Sequence, residues 1–157
     1  MKKILFLLLS FSAFSQNDQI VRGPYLQSMT SESVLIQWRT TSPQSSQVTL
    51  VTKGAKKSRV IADTNRVIDH IVKVSGLKPT KSYTYSISPN HQGSFHTKPK
   101  AGDPKSVRIW ALGDFGNSSK NQADVRDAMF NATKTHKPDA WIWMGDNAYS
   151  NGKEEEY

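Results

Sequence analysis

The segment SVLIQWRT, residues 33–40, alternates at period two, with Val34, Ile36 and Trp38 forming one set and Leu35, Gln37 and Arg39 the other. Successive side chains of a strand point to opposite faces, so this predicts a half-buried strand with the Val-Ile-Trp set inward. The stretches SQVTLVTK and HIVKVSG repeat the β-branched pattern, and Gly54 and Gly76 break it. No part of 20–98 has a convincing helical period. Several short strands at this spacing predict an all-β sandwich. Toward its end, in LKPTKSYTYSIS, Leu77, Pro79 and Tyr83 stand as in a tyrosine corner, where the phenol ties a loop to the next strand. GSFHTKP predicts a closing strand with Phe95 inward. Tyr25, Trp38, Tyr83 and Tyr85 read as core or interface residues. His91, in PNHQG, reads as part of a hairpin turn, which Pro, Asn and Gly favour.

The pattern changes after KPKAGDPKS, which has the composition of a linker at 99–106. VRIWALGDFG is a short apolar run ending in Gly113, Asp114 and Gly116. NSSKNQADVRDAMFNATKTH then predicts a helix capped by Ser118 or Ser119, with Ala123, Val125, Ala128, Met129 and Ala132 as its inward stripe. Lys137 and Pro138 are expected to stop it, and AWIWMGD is a second apolar strand. Strand–helix–strand of this length is a crossover unit, which places the two strands parallel in one sheet.

That topology gives the carboxylates a role. Asp114 and Asp146 each follow the C-terminal end of a strand, where open α/β sheets form ligand crevices. Parallel neighbours bring both acids to one edge, and Tyr149 reaches it through the loop after Asp146. A glycine precedes each Asp, so the backbone is expected to turn there. Either Gly-Asp pair alone is an ordinary turn; the two together, with Tyr149 in Gly-Asp-x-x-Tyr spacing, point to a metal site. Asp124, Asp127 and Asp139 lack this placement and read as surface charges.

Composition narrows the setting. Lys2 and Lys3 precede an apolar run from Ile4 to Phe14, followed by small residues, which is the layout of a signal peptide over residues 1–15. The expected location is secreted or periplasmic. Cysteine is absent, which excludes disulfides and thiolate–metal sites. The formal charge is +8, but the lysines are scattered along the sequence and not interleaved with aromatics as a nucleic-acid groove requires. They read as solvated surface, with neither nucleic acid nor membrane expected as a partner after signal cleavage.

GDFG at 113–116 and GDNAY at 145–149 make the chain resemble a purple acid phosphatase of the calcineurin-like metallophosphoesterase superfamily. The preceding 18–98 resembles a fibronectin type III domain, matching the domain order of larger members. The first motif has Asp114-Phe115-Gly116 where many members have Asp-x-His, and Tyr149 is the substitution typical of the purple branch. The resemblance implies Asp114 and Tyr149 on Fe(3+), with Asp146 bridging to a divalent Fe, Zn or Mn ion. It further implies hydrolysis of phosphate monoesters. The family's Gly-Asn-His and Gly-His-x-His motifs do not occur after Tyr149, so 107–157 is expected to be the N-terminal part of that domain and inactive alone. A phosphodiesterase or nucleotidase of the same superfamily, or a non-catalytic extracellular binding module, are the alternatives.

Overall fold

The computed structural model describes residues 20–156, so the expected signal peptide lies outside the described residues. The chain divides into two compact units between Lys98 and Pro99.

The first unit consists of five strands: β1 (Ile20–Gln27), β2 (Ser33–Thr52), β3 (Ser58–Ser75), β4 (Ser82–Ser88) and β5 (His91–His96). Strands β2 and β3 are long because each serves two sheets. The early part of β2 pairs with β1 and with the later part of β3, as in Ile36↔Leu26 and Ile36↔Val72. After register shifts between Arg39 and Ser46, the later part of β2 pairs with the start of β3 and with β4, as in Leu50↔Arg59 and Leu50↔Tyr85. β5 completes the second sheet beside β4. The result is a three-stranded and a four-stranded antiparallel layer, a fibronectin type III-like sandwich. SVLIQWRT and SQVTLVTK, which read as separate strands, are thus one bent strand. The bend falls over TTSPQSS, whose hydroxyls and Pro43 interrupt the apolar alternation.

Val34, Ile36, Trp38, Val72 and Val74 from one layer meet Val48, Leu50, Tyr83, Tyr85 and Phe95 from the other, all at most 7% exposed. Each fully buried side chain of this kind stabilises the fold by about 1.5–3 kcal/mol. The tyrosine corner forms as expected, with the Lys78 N–H donating to Tyr83 Oη at 2.9 Å and Leu77 buried beside it. His70 is an unexpected core member. Its ring stacks on Trp38 at 4.5 Å, and the hydroxyls of Thr40 and Ser46 meet its two nitrogens at 3.0 and 2.8 Å.

The second unit contains β6 (Ile109–Leu112), α1 (Lys120–Ala132) and β7 (Ala140–Trp143), followed by a 3-10 turn at Glu154–Glu156. β6 and β7 are parallel and in register from Ile109↔Ala140 to Leu112↔Trp143. Asp139 fixes that register: its carboxylate accepts from the Arg108 N–H at 2.9 Å while its own N–H donates to Arg108 O at 2.8 Å. Ser119 caps α1, its Oγ accepting from the Gln122 N–H. The helix stops at Ala132, earlier than Lys137-Pro138 suggested, because Thr133 leaves helical geometry and returns its N–H and hydroxyl to Met129 O. The expected inward stripe is not buried either. No residue of α1 is buried, and an open cleft of about 510 Å³ lies between the helix and Trp110, Leu112, Trp141 and Trp143.

Candidate metal centre

Asp114, Asp146 and Tyr149, singled out from sequence, converge. β6 ends at Leu112 and β7 at Trp143, and the two following loops are stitched together by backbone hydrogen bonds. Met144 N–H donates to Leu112 O, Asp114 N–H to Gly145 O, Gly116 N–H to Asp146 O, and Tyr149 N–H to Gly116 O at 2.7 Å. The Tyr149 phenol then donates to Asp146 Oδ2 at 2.7 Å and lies 3.2 Å from Asp114 Oδ1. Three oxygens from two loops meet at one point.

Backbone conformation shows what holds them there. Asp114 and Asp146 both adopt left-handed φ, 55° and 50°. Non-glycine residues seldom do so, and such strain gathers at functional sites. The turn at Asp114 is therefore made by the aspartate itself rather than by Gly113, whereas Gly145 shares the second turn at φ 121°. Gly116 has a different and sharper requirement. A Cβ there would lie 2.0 Å from the backbone carbon and oxygen of Asn147, so only glycine allows the two loops to touch. Sequence reasoning noted Gly116 without finding this role, because close approach between loops leaves no local signature. Beyond Tyr149, the Glu156 carboxylate accepts from the N–H groups of Ser150, Asn151 and Lys153 and so orders the loop that carries the phenol.

The electrostatics follow from this geometry. The phenol's hydrogen bond to Asp146, then burial and the bond to Asp114, raise the Tyr149 pKa well above its ordinary value. Its proton is shared with two carboxylates, which a cation at that point would replace. The donors fit such a cation. Oxygen ligands bound at about 2.0–2.1 Å to one six-coordinate ion stand about 2.9 Å apart when adjacent, close to the two separations seen here. An all-oxygen set of two carboxylates and a phenol suits a hard, strongly Lewis-acidic ion. No histidine joins the group: among the described residues no cluster of three His, Cys, Asp or Glu side chains has metal-binding geometry. His91 stands at the start of β5 after a two-residue turn, as expected, and His70 is in the sandwich core. Asp124 and Asp127 pair with Lys120 and Arg126 on the helix surface.

No protein-family model matches the sequence, and no curated protein matches it. Solved structures do. The structure of PhoD aligns over 88% of this chain and 29% of its own, at 16% identity and a TM-score of 0.53. The chain thus spans under a third of PhoD's length, and the likeness is one of fold. A myokine structure aligns over 47% of this chain and 90% of its own at 15% identity and TM-score 0.41. The fibronectin type III domain of human collagen XX aligns over 48% and 88% at 14% identity and TM-score 0.41.

Proposed function

We propose that the second unit holds a metal ion through Asp114, Asp146 and Tyr149 and that these residues serve hydrolysis of a phosphate monoester, in the manner of a purple acid phosphatase. The convergence of the three oxygens on one point carries the reading. The fold likeness to PhoD, a phosphoesterase, supports phosphoester chemistry at a coarser level.

In this reading Asp114 and Tyr149 bind Fe(3+), and the second carboxylate oxygen of Asp146 is left for a divalent Fe, Zn or Mn ion. The bound ions would supply Lewis-acid clamping of the phosphoryl oxygens. The protein's own work is positional. Gly116 locks the two loops, the left-handed aspartates aim their carboxylates, and Tyr149 gives up its proton on binding the cation. Three protein oxygens hold one ion, whereas stabilising both the attacking and the leaving oxygen takes two. Turnover by this chain alone is therefore expected to stay near background, with activity expected of a complete protein that adds further ligands.

Adding Fe(3+) to the full chain tests the site. A visible phenolate-to-iron absorption band is expected, absent in Tyr149→Phe and weakened in Asp146→Asn. A band that persists unchanged in Tyr149→Phe removes Tyr149 from the site, and no band at all in the native chain removes the reading.

A further inference from the structure

The charge of the chain is unevenly divided. Residues 20–98 carry eleven Lys and Arg against three Asp and Glu, whereas 99–157 carry eight against nine. Within the sandwich the strand directions sort this surplus further. β2 and β3 each double back at the bend where they change sheets, so the chain makes seven passes, and the connections 28–32, 53–57 and 76–81 and the end of β5 all lie at one end. Hydrogen bonds tie them together there. Leu77 N–H donates to Glu32 O, Lys53 N–H to Ser82 O, Thr97 N–H to Lys81 O and Lys98 N–H to Thr30 O. Thr97 Oγ1 adds a bond to Lys78 O.

Lys53, Lys56, Lys57, Lys78, Lys81 and Lys98 stand on these connections, and Glu32 is the one acid among them. The first five are exposed, and among the described residues none of those five meets a carboxylate at ion-pair distance. At the opposite end the charges are balanced more closely, with Arg39 and Arg66 set against Asp63 and Asp69 and with Arg39 bound to Asp69. Lysines scattered in sequence are thus gathered by the fold into one electropositive tip.

We propose that this tip docks the chain onto an anionic phospholipid surface. The chemistry of the tip favours a plane over a linear polyanion. Lysine is a compact point charge that asks for no fixed donor geometry. A bound polynucleotide needs a groove with aromatic stacking platforms, and Tyr83, beside the 76–81 connection, turns inward to close its corner. No large apolar side chain is exposed on the three loops, so attachment is electrostatic and peripheral. The inference does not depend on the metal site.

The test is sedimentation of the full chain with vesicles, neutral or containing about one-third anionic phospholipid. Each lysine near such a surface contributes about fivefold in partitioning, so Lys53→Gln/Lys56→Gln/Lys57→Gln is expected to lose about a hundredfold. The variant Thr64→Asp/Asn65→Asp/Asn90→Asp makes the same change in net charge at exposed positions of the β3 bend and the β4–β5 turn at the other end and is expected to lose little. The apolar run at 4–14 is common to both variants and cancels between them, and the comparison of neutral with anionic vesicles uses the protein after removal of residues 1–15. Thermal melts of both variants confirm that the sandwich is intact. Equal losses in the two variants would assign binding to net charge and overturn the proposal, as would equal binding to neutral vesicles. If soluble polyphosphate binds through the same lysines while vesicles do not, the partner is a linear polyanion and the bilayer assignment fails.

Discussion

The two units place similar residues in opposite circumstances. In the sandwich, Val34, Ile36, Val48 and Val74 are at most 1% exposed, while in the α/β unit Trp141, Ile142, Trp143 and Met144 are 46–67% exposed. Among the described residues of the second unit only Gly116 is buried. Apolar character alone therefore does not make a core. Two β-layers enclose each other, but a two-stranded sheet with one helix leaves a face open, and parallel strands ordinarily need cover on both faces. Yet the candidate site lies in the unit with almost no core. Its order comes from backbone stitching between two loops rather than from side-chain burial.

The strongest way to break this comparison is to cut the same kind of side chain in each unit. Ile36→Ala is expected to cost the sandwich about 2–5 kcal/mol, by lost transfer energy plus a cavity. Ile142→Ala, half exposed, should cost well under 1 kcal/mol. Denaturant titration of the full chain in a Trp38→Phe background, followed by β-sheet circular dichroism for the sandwich and tryptophan fluorescence for the second unit, separates the two. Comparable losses would show that the second unit has a core after all.

Gly116→Ala is next in size and acts through geometry. The added methyl meets the Asn147 backbone at 2.0 Å, so the loops must part and Tyr149 must leave the aspartates. Iron affinity is expected to fall about 10–100-fold, the range seen when groups that orient ligands are lost. The sandwich melt should not move. Unchanged iron binding would mean that loop contact is not what builds the site.

How much of this was legible in sequence follows the same division. Val34, Ile36, Trp38, Phe95 and the Tyr83 corner were readable because a strand facing a closed core imposes strict alternation. β1 was missed, since Gly23, Pro24 and its register shifts blur the period. The continuity of β2 was missed because TTSPQSS interrupts the apolar alternation, so its two halves read as separate strands. His70 was invisible, as nothing local announces a histidine that stacks on a tryptophan 32 positions away. Asp114, Asp146 and Tyr149 were legible through motif spacing and strand ends. The end of α1 was misplaced, because Thr133 ends it through bonds back to Met129 that no residue pattern required.

His70 sharpens the comparison through pH, since its titration bears on the sandwich alone. Burial lowers its pKa below the ordinary value, with the Asp69 charge opposing. The unfolded chain therefore binds the proton first as pH falls. Stability is fully present above the unfolded value near 6.5 and declines as pH drops below it, with a limiting slope of about 1.4 kcal/mol per pH unit. His70→Gln should flatten that slope when the sandwich melt is followed between pH 7.5 and 5.5, about the window where histidine titrates. A native slope that the substitution leaves unchanged would place the titrating group elsewhere.

The smallest effect concerns α1, the element that joins the two metal-site loops without being packed against them. With no buried residue and a ring contact from Phe130 to Trp141 at 6.4 Å, the helix relies mainly on local devices, chiefly the Ser119 cap and the Lys120–Asp124 pair one turn apart. The exposed pair is worth about 0.3–0.5 kcal/mol. Removing the cap by Ser119→Ala is expected to cost about 1 kcal/mol, because one helix N–H then loses its acceptor. In a helix held by tertiary packing that loss would be spread over the whole unit. Here it should appear as faster amide exchange in the first turns, at Gln122 and Ala123, while exchange in β6 and β7 and the iron absorption band are unaffected. If instead the strands exchange faster in step with the helix, then α1 and the sheet unfold together, and the open cleft between them is bridged more firmly than its exposed walls indicate.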